Sequence, residues 1–356
     1  MNRTYAVDYI NGPTSKSVYG IKRYQDEVHH LLPRARLNRI EYLQPKSRVL
    51  SILRRAIFLF EVMLKARKGS LKHFTTQYLA YLLFLPGMEN SIVTVYDTVF
   101  IERYKDFPFL TRLFIKANIA GIRKAKKIIT ISDYSAGQIH ALLGIEPSRI
   151  AIIKPGMDTA FFSRKMRQPG KWGAKGSPVV LSLGSEDPRQ NIDKVIVAVS
   201  KLKEEFPGIF LLKAGNPQWK GGRGQLLGLV KKLGIEGRVL FLDFVPDEKL
   251  PSLYSSADVF VYPCSSTGWG LPPAEAMACG TPVVTSKVPP LPEVVGDGAL
   301  KVNPKSAGQI AAAIRKVLKD PALCISLAKK ATAHLKKFSW KKAAAQTEKT
   351  YLSLLS

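Results

Sequence analysis

The chain has 356 residues, 46% of them apolar and 9% aromatic, with 54 Lys or Arg against 27 Asp or Glu and a net charge of +27. That length exceeds one ordinary core and predicts two domains, while the composition excludes a disordered or fibrous chain. The charge is no basic tail, since 27 basic and 12 acidic residues run up to Lys165 and 27 and 15 follow it. Such an excess suits an anionic partner, a membrane phosphate surface or a charged substrate, or else is a general surface habit. No aromatics interleave with the basic residues as they do on RNA-binding surfaces, so nucleic acid is not an expected partner.

The opening residues, MNRTYAVDYINGPTS, carry polar groups where an export signal needs an apolar run, and no apolar window reaches ~18 residues, so a cytoplasmic, non-spanning protein is expected. Cys264, Cys279 and Cys324 are odd in number and lack paired spacing, which reads as reduced thiols rather than a disulfide or metal framework.

Along the first half, LSILRRAIFLFEVMLKARKGSLKHF (50–74) reads as one helix with basic flanks. Such a helix either lies on the anionic inner face of the cell membrane or is a core helix whose Arg and Lys stems snorkel. SIVTVYD (91–97) and KKIITIS (126–132) read as strands, and DYSAGQIHALLG (133–144) as a capped helix ended by glycine. SRKMRQPGKWGAKGS (163–177), polar and rich in Gly and Lys, reads as a linker. It separates domains 1–165 and 176–339.

The second half alternates more clearly. PVVLSLG (178–184), IFLLKAG (209–215), VLFLDFV (239–245) and VFVYP (259–263) are short apolar runs separated by amphipathic helical stretches, the pattern of βαβ units around a parallel sheet buried on both faces. The fold class is therefore α/β, with two Rossmann-like doubly wound domains. Loops after such strands gather at the carboxyl edge, where ligands bind. The closing stretch FSWKKAAAQTEKTYLSLL (338–355) is an amphipathic helix that either packs back on the first domain or simply ends the second.

The densest signal is TGWGLPPAEAMACGTPVV (267–284). Pro272 and Pro273 suit a first helical turn and Gly280 the position after a helix end. Gly268 and Gly270 let the backbone approach a ligand, and the amides up to Leu271 converge with the helix's positive end on a site for a phosphate or diphosphate. Glu275 is placed in the first turn, where the helix dipole alone explains it, or else it is a two-bond acceptor for a ribose diol.

This stretch, with SKVPPLPEVVGDGALKVNP after it, resembles the signature of the GT-B retaining glycosyltransferases of group-1 or family-4 type. KAKKIITISDYSAGQI (124–139), SRIAIIKPGMDTAFF (148–162), VVLSLGSEDPRQN (179–191), LYSSADVFVYPCSS (253–266) and KKFSWKKAAAQTEKTY (336–351) follow in the family's order. Only about the first ninety residues match poorly. The resemblance implies two domains facing a central cleft, a nucleotide-sugar donor between them, and a glycan or lipid-linked acceptor. It implies that Glu275 binds the ribose, that amides near Gly270 and Leu271 bind the diphosphate, and that Gly20 belongs to an N-terminal glycine loop beside it. Gly184, Ser185, Gln190, Asn191, Gly215, Val245 and Gly268 complete the expected donor site.

Three positions depart from the family pattern. Thr267 stands where the family has a second Glu, Ser185 and Gln190 where it has an Arg or small residue and a Lys, and Tyr96-Asp97 where it often has His-Asp. Losing a Lys that contacts phosphates costs ~3–4 kcal/mol by analogy with one preorganised donor, and Arg189 is the residue placed to compensate. Tyr96, Asp97, Arg189 and Thr267 are accordingly the expected residues of the reacting zone. No Asp-x-Asp pair or His/Cys cluster accompanies them, so a reaction without metal or other cofactor is expected. The departures also leave open a catalytically reduced protein that binds glycan or nucleotide, or scaffolds a partner enzyme.

Overall fold

A computed structural model describes residues 6–14, 19–33, 37–43, 48–163, 172–217 and 221–355. Two compact units emerge, one of Met1–Gly156 with Phe338–Ser356 and the other of Met157–Lys337. The division thus falls at 156/157, ahead of the expected break at 165, and the closing helix belongs to the first unit. Of the expected linker, residues 164–171 lie outside the described residues.

The first unit is built on six parallel strands, β1 (Val7–Thr14), β2 (Leu37–Leu43), β3 (Leu71–Phe74), β4 (Ser91–Val95), β5 (Lys127–Thr130) and β6 (Ile150–Ile152), ordered β2-β1-β3-β4-β5-β6. The 50–74 stretch is not one helix. A helix covers Arg48–Lys65, Gly69 turns the chain at φ +73°, and LKHF then enters the sheet as β3, buried along its length. Helical periodicity was the wrong template there because Lys72 and His73 hide a strand that is apolar only at its ends.

Those polar residues are buried because each finds partners. The fully buried Asp8 carboxylate accepts from Arg67 Nε (3.0 Å), the Arg67 amide (2.9 Å) and Ser70 Oγ (2.5 Å), while Lys72 Nζ donates to the Arg67 and Ser70 carbonyls at 2.7 and 2.9 Å. His73 places Nδ1 2.7 Å from the Tyr351 hydroxyl and Nε2 2.8 Å from Thr94 Oγ1. Burial pulls its pKa down to about 3, so the ring is neutral and ties β3, β4 and the closing helix Trp340–Leu352 together. At the start of that helix, Gly156 is required by space, since a Cβ there would stand 2.1 Å from the Trp340 nitrogen.

The second unit carries β7 (Val179–Leu183), β8 (Phe210–Ala214), β9 (Val239–Leu242), β10 (Val259–Tyr262), β11 (Val283–Ser286) and β12 (Leu300–Val302), ordered β12-β11-β10-β7-β8-β9 and parallel throughout. Its core is aliphatic. Val180, Leu211, Val259, Val261 and Val284 of the sheet pack under Val195, Ile196 and Val199 of the helix Ile192–Leu202 and Ile310 and Ile314 of the helix Ala307–Lys319. Each such side chain contributes about 1.5–3 kcal/mol on burial. The strand order reverses between β7 and β10, and in sheets of this kind ligands bind beyond the carboxyl ends at that switch point.

Candidate active site

The loops after β7 and β10 flank that switch, and they hold the residues singled out by the sequence. After β10 the chain runs through Thr267, Gly268 and Trp269 to Gly270, which caps the helix Leu271–Ala278 with φ +104°. A side chain there would be strained by that φ, and its Cβ would meet Leu291 Cδ2 at 2.5 Å. At the other end the Gly280 amide reaches Met277 O (3.0 Å) and the Thr281 amide Ala276 O (3.0 Å), with Gly280 at φ +74°. This paired 5→2 and 6→1 closure is how a glycine stops so short a helix.

The expected first-turn placement of Glu275 is corrected: it is the fifth residue of this helix, past a first turn that contains no acid, because the helix begins at Leu271. The dipole explanation of Glu275 therefore weakens, because that effect fades within one turn. Instead Glu275 is 4% exposed and its Oε2 accepts a 2.7 Å bond from the hydroxyl of Tyr254, which is fully buried. Two prolines remove amides from the first turn, so an anion here would be met by the amides of Gly268 to Leu271 rather than by a full set of helix donors.

Tyr254 was missed from the sequence, where it reads as one more apolar residue of a helix. Burial, then the Glu275 carboxylate, pushes its phenol well above the ordinary value, so it stays a donor and fixes the direction of the acid. Asp247, in the loop after Val245, lies in the same neighbourhood. Burial and then the charge of Glu275 lift its pKa to about 6.

After β7, Gly184 (φ +150°) and Gly215 (φ +109°) bring two strand ends together, and a Cβ on Gly215 would stand 2.2 Å from the Gly184 carbonyl oxygen. The buried Lys213 pins them, donating to the carbonyls of Gly184 (2.8 Å), Ala214 (2.9 Å) and Gly215 (3.4 Å). Desolvation lowers its pKa to about 8. A lysine inside the apolar run IFLLKAG was the available signal for it.

Arg189 is engaged by its own turn. Its Nε and Nη2 lie 2.9 and 3.3 Å from the two oxygens of Asp187, which also accepts from the Arg189 amide at 2.9 Å. A phosphate at this position would have to share the guanidinium with that acid. Asn191, at φ 51°, donates to Pro263 O (2.8 Å) and Ser265 Oγ (2.6 Å), and Arg189 O accepts from the Ser265 amide (2.8 Å). These bonds lash the loop after β7 to the loop after β10. Ser185 Oγ lies 3.5 Å from the Asp187 amide.

Gln190 and Thr267, two of the departures from the family pattern, come together at one place. Burial pushes the Tyr262 phenol up, and hydrogen bonding with Gln190 and Thr267 works against that push.

In the first unit, Tyr96 follows β4 and is buried, its amide donating to Gln77 Oε1 at 3.2 Å. Burial raises its phenol well above the ordinary value, so it is neutral at physiological pH and cannot serve as a base there. Asp97 Oδ1 accepts from the Val99 amide (3.1 Å) at the head of the next short helix. Gly20 is exposed near the start of the helix Tyr19–Leu31. Among the described residues no group of three or more His, Cys, Asp or Glu is placed to hold a metal ion.

Two sheets of this kind, the second switching direction beside a glycine-flanked carboxylate, define the GT-B fold. Solved structures agree: Anabaena Alr3699/HepE in complex with UDP and glucose superposes with a TM-score of 0.81 at 19% identity, covering 98% of this chain and 100% of its own. WaaG, a glycosyltransferase involved in lipopolysaccharide biosynthesis, gives 0.71 at 18% identity over 96% and 98%. Residues 165–334 match the family described as glycosyl transferases group 1. O-antigen chain mannosyltransferase B of Escherichia coli is 32% identical over 278 residues, 75% of this chain and 72% of its own length. D-inositol 3-phosphate glycosyltransferase of Mycobacterium tuberculosis (strain ATCC 25177 / H37Ra) is 34% identical over 232 residues, and the match spans 62% of this chain and about half, 47%, of that relative. The chain belongs to the group 1 glycosyl transferases and is a transferase enzyme.

Proposed function

We propose that the protein moves a hexose from a UDP- or GDP-linked sugar to a glycan or lipid-linked acceptor at the cytoplasmic membrane face, with retention and without a metal ion. The observation that carries the reading is the buried Glu275 carboxylate, aimed by Tyr254 and set one helix turn behind the Gly268–Gly270 loop at the switch of the second sheet. A buried carboxylate accepts strongly from ribose hydroxyls, and the amides of the glycine loop suit the diphosphate. The developing charge on the leaving diphosphate is met by these amides and by Arg189 shared with Asp187, while the diphosphate itself assists the incoming acceptor hydroxyl. Thr267 and Gln190 offer neutral hydrogen bonds where the sugar would lie. The Escherichia coli relative is by name a mannosyltransferase, and crystals of Alr3699/HepE hold UDP and UDP-glucose; both favour a nucleotide-hexose donor. Thermal melting against a panel of UDP- and GDP-sugars tests it, since a ligand at 100 times its Kd stabilises by about 2.7 kcal/mol. No shift with any of them sinks the proposal, as does a shift that survives replacement of Glu275 by alanine.

A further inference from the structure

The aliphatic packing of the second sheet is interrupted at the carboxyl ends of β7, β8 and β9 by a charged cluster. All of β8 is buried, and Phe210, Leu211, Leu212 and Ala214 are apolar; the remaining residue, Lys213, gives its ammonium to the carbonyls of Gly184, Ala214 and Gly215. Beside it in register on β9 lies Phe241, and the Arg223 guanidinium stands 4.7 Å from that ring's centroid. Arg223 Nε donates to Glu186 Oε1 at 2.6 Å and Nη2 to Asp243 Oδ1 at 3.0 Å. The guanidinium thus ties the loop after β7 to the loop after β9, and Lys213 ties the loop after β7 to the end of β8.

Stability does not account for this arrangement. Arg223 lies in the first turn of the helix Gly222–Lys232, an end whose dipole disfavours a cation. The Glu186 side chain is fully buried, and its Oε2 has no hydrogen-bond partner among the described residues, so part of its acceptor capacity goes unmet. Burying these charges costs more than the valines and leucines used elsewhere in the sheet. What the cluster secures is geometry, because a guanidinium bonded to two carboxylates and stacked on a ring keeps one orientation. The loop after β7 carries Ser185, Arg189, Gln190 and Asn191, and the loop after β9 carries Val245, at the two ends of the proposed nucleotide site. We propose that Glu186, Lys213 and Arg223 are positioning residues of the donor site, setting the loop after β7 against the loop after β9 so that one nucleotide engages both at once.

The inference rests on the proposed function in taking a nucleotide as the molecule that spans the two loops, and its test includes an arm that needs none. In calorimetry with the full chain, Arg223→Ala is expected to weaken UDP or GDP, whichever the wild type binds, roughly ten- to hundred-fold. Inorganic pyrophosphate, which fills only the phosphate end, is expected to bind it as it binds the wild type. Arg223→Lys keeps the charge without the fork and is expected to fall between the two. Hydrogen exchange on the nucleotide-free chain is expected to rise in Arg223→Ala at the amides within 184–191 and 243–247, and by less in Asp243→Asn, with β10 to β12 unchanged. Wild-type nucleotide affinity in Arg223→Ala, an equal loss for pyrophosphate, or exchange that rises throughout the second unit overturns the inference. Failure of the wild type to bind either nucleotide condemns the transfer reading alone, and exchange within 184–191 then decides whether the cluster sets the loop.

Discussion

The two units solve the same problem, a six-stranded parallel sheet buried on both faces, with opposite materials. The second sheet is packed with aliphatic side chains under two amphipathic helices. The first is stitched at its centre by buried polar groups, Asp8 with Arg67, Ser70 and Lys72, and His73 with Thr94 and Tyr351. The aliphatic sheet tolerates loss of a methyl group at modest cost, whereas the polar-stitched one depends on every donor keeping its acceptor. The contrast also separates a unit that carries a glycine-lined site at its switch point from one whose Arg48–Lys65 helix leaves Leu53, Phe60 and Leu64 exposed.

The largest expected effect breaks the stitching. Asp8→Ala removes the acceptor of the Arg67 amide, Arg67 Nε and Ser70 Oγ and the carboxylate 3.8 Å from the buried Lys72 ammonium, and is expected to cost the first unit about 3–5 kcal/mol in urea unfolding; a loss below about 1 kcal/mol would show that the network is dispensable. In the second unit, Glu275→Gln is expected to weaken nucleotide binding by about 1.5–3 kcal/mol, roughly ten- to hundred-fold by calorimetry, with little change in melting. Tyr254→Phe should give a smaller loss of about 1 kcal/mol in the same titration.

Gly215→Ala combines a positive φ with a Cβ 2.2 Å from the Gly184 carbonyl oxygen. It is expected to cost about 1–3 kcal/mol and to loosen the loop that Gly184 begins, seen as lower melting together with weaker nucleotide binding. Unchanged melting would mean that the strand ends can part freely.

The units should also answer pH at opposite ends of the scale. The folded pKa of His73 is pulled down to about 3 from 6.5, so the folded state binds fewer protons and the first unit loses stability as pH falls from 6.5 towards 3. Lys213 is pulled down to about 8 from 10.5, so stability of the second unit rises between pH 8 and 10.5, where only the unfolded chain holds that proton. Denaturant midpoints across pH, with His73→Asn and Lys213→Met each flattening its own arm, check both signs. The smallest effect concerns specificity. Thr267→Glu or Gln190→Lys alone adds an unpaired charge beside Tyr262 and should lower turnover, while the double change should recover it; equal behaviour of singles and double would show that the two sites act independently.

Much of the second unit was legible in the sequence. Apolar runs of four to seven residues with glycine or proline after them mark β7 to β10, and the glycine and proline positions around 267–280 state their own backbone needs at Gly270 and Gly280. Less of the first unit was legible, since β1 and β3 carry Asp8, Lys72 and His73 where the apolar-run template expects valine or leucine. Glu275 was found, but its partner Tyr254, twenty-one residues earlier, was not, because a tyrosine in a helix gives no sign of where its hydroxyl points.

By itself, then, the sequence determined the class of fold, the glycine-punctuated loops and the carboxylate at 275, because these depend on local conformation and periodicity, which are written in adjacent residues. Tertiary structure alone decided that the closing helix completes the first unit through His73, that Arg189 is held by Asp187, that Gln190 and Thr267 meet at Tyr262, and that one face of the Arg48–Lys65 helix is left open. Each of these depends on which side chains separated in the chain come within bonding distance, and a hydrogen bond or an exposed face has no signature until the sheets are assembled.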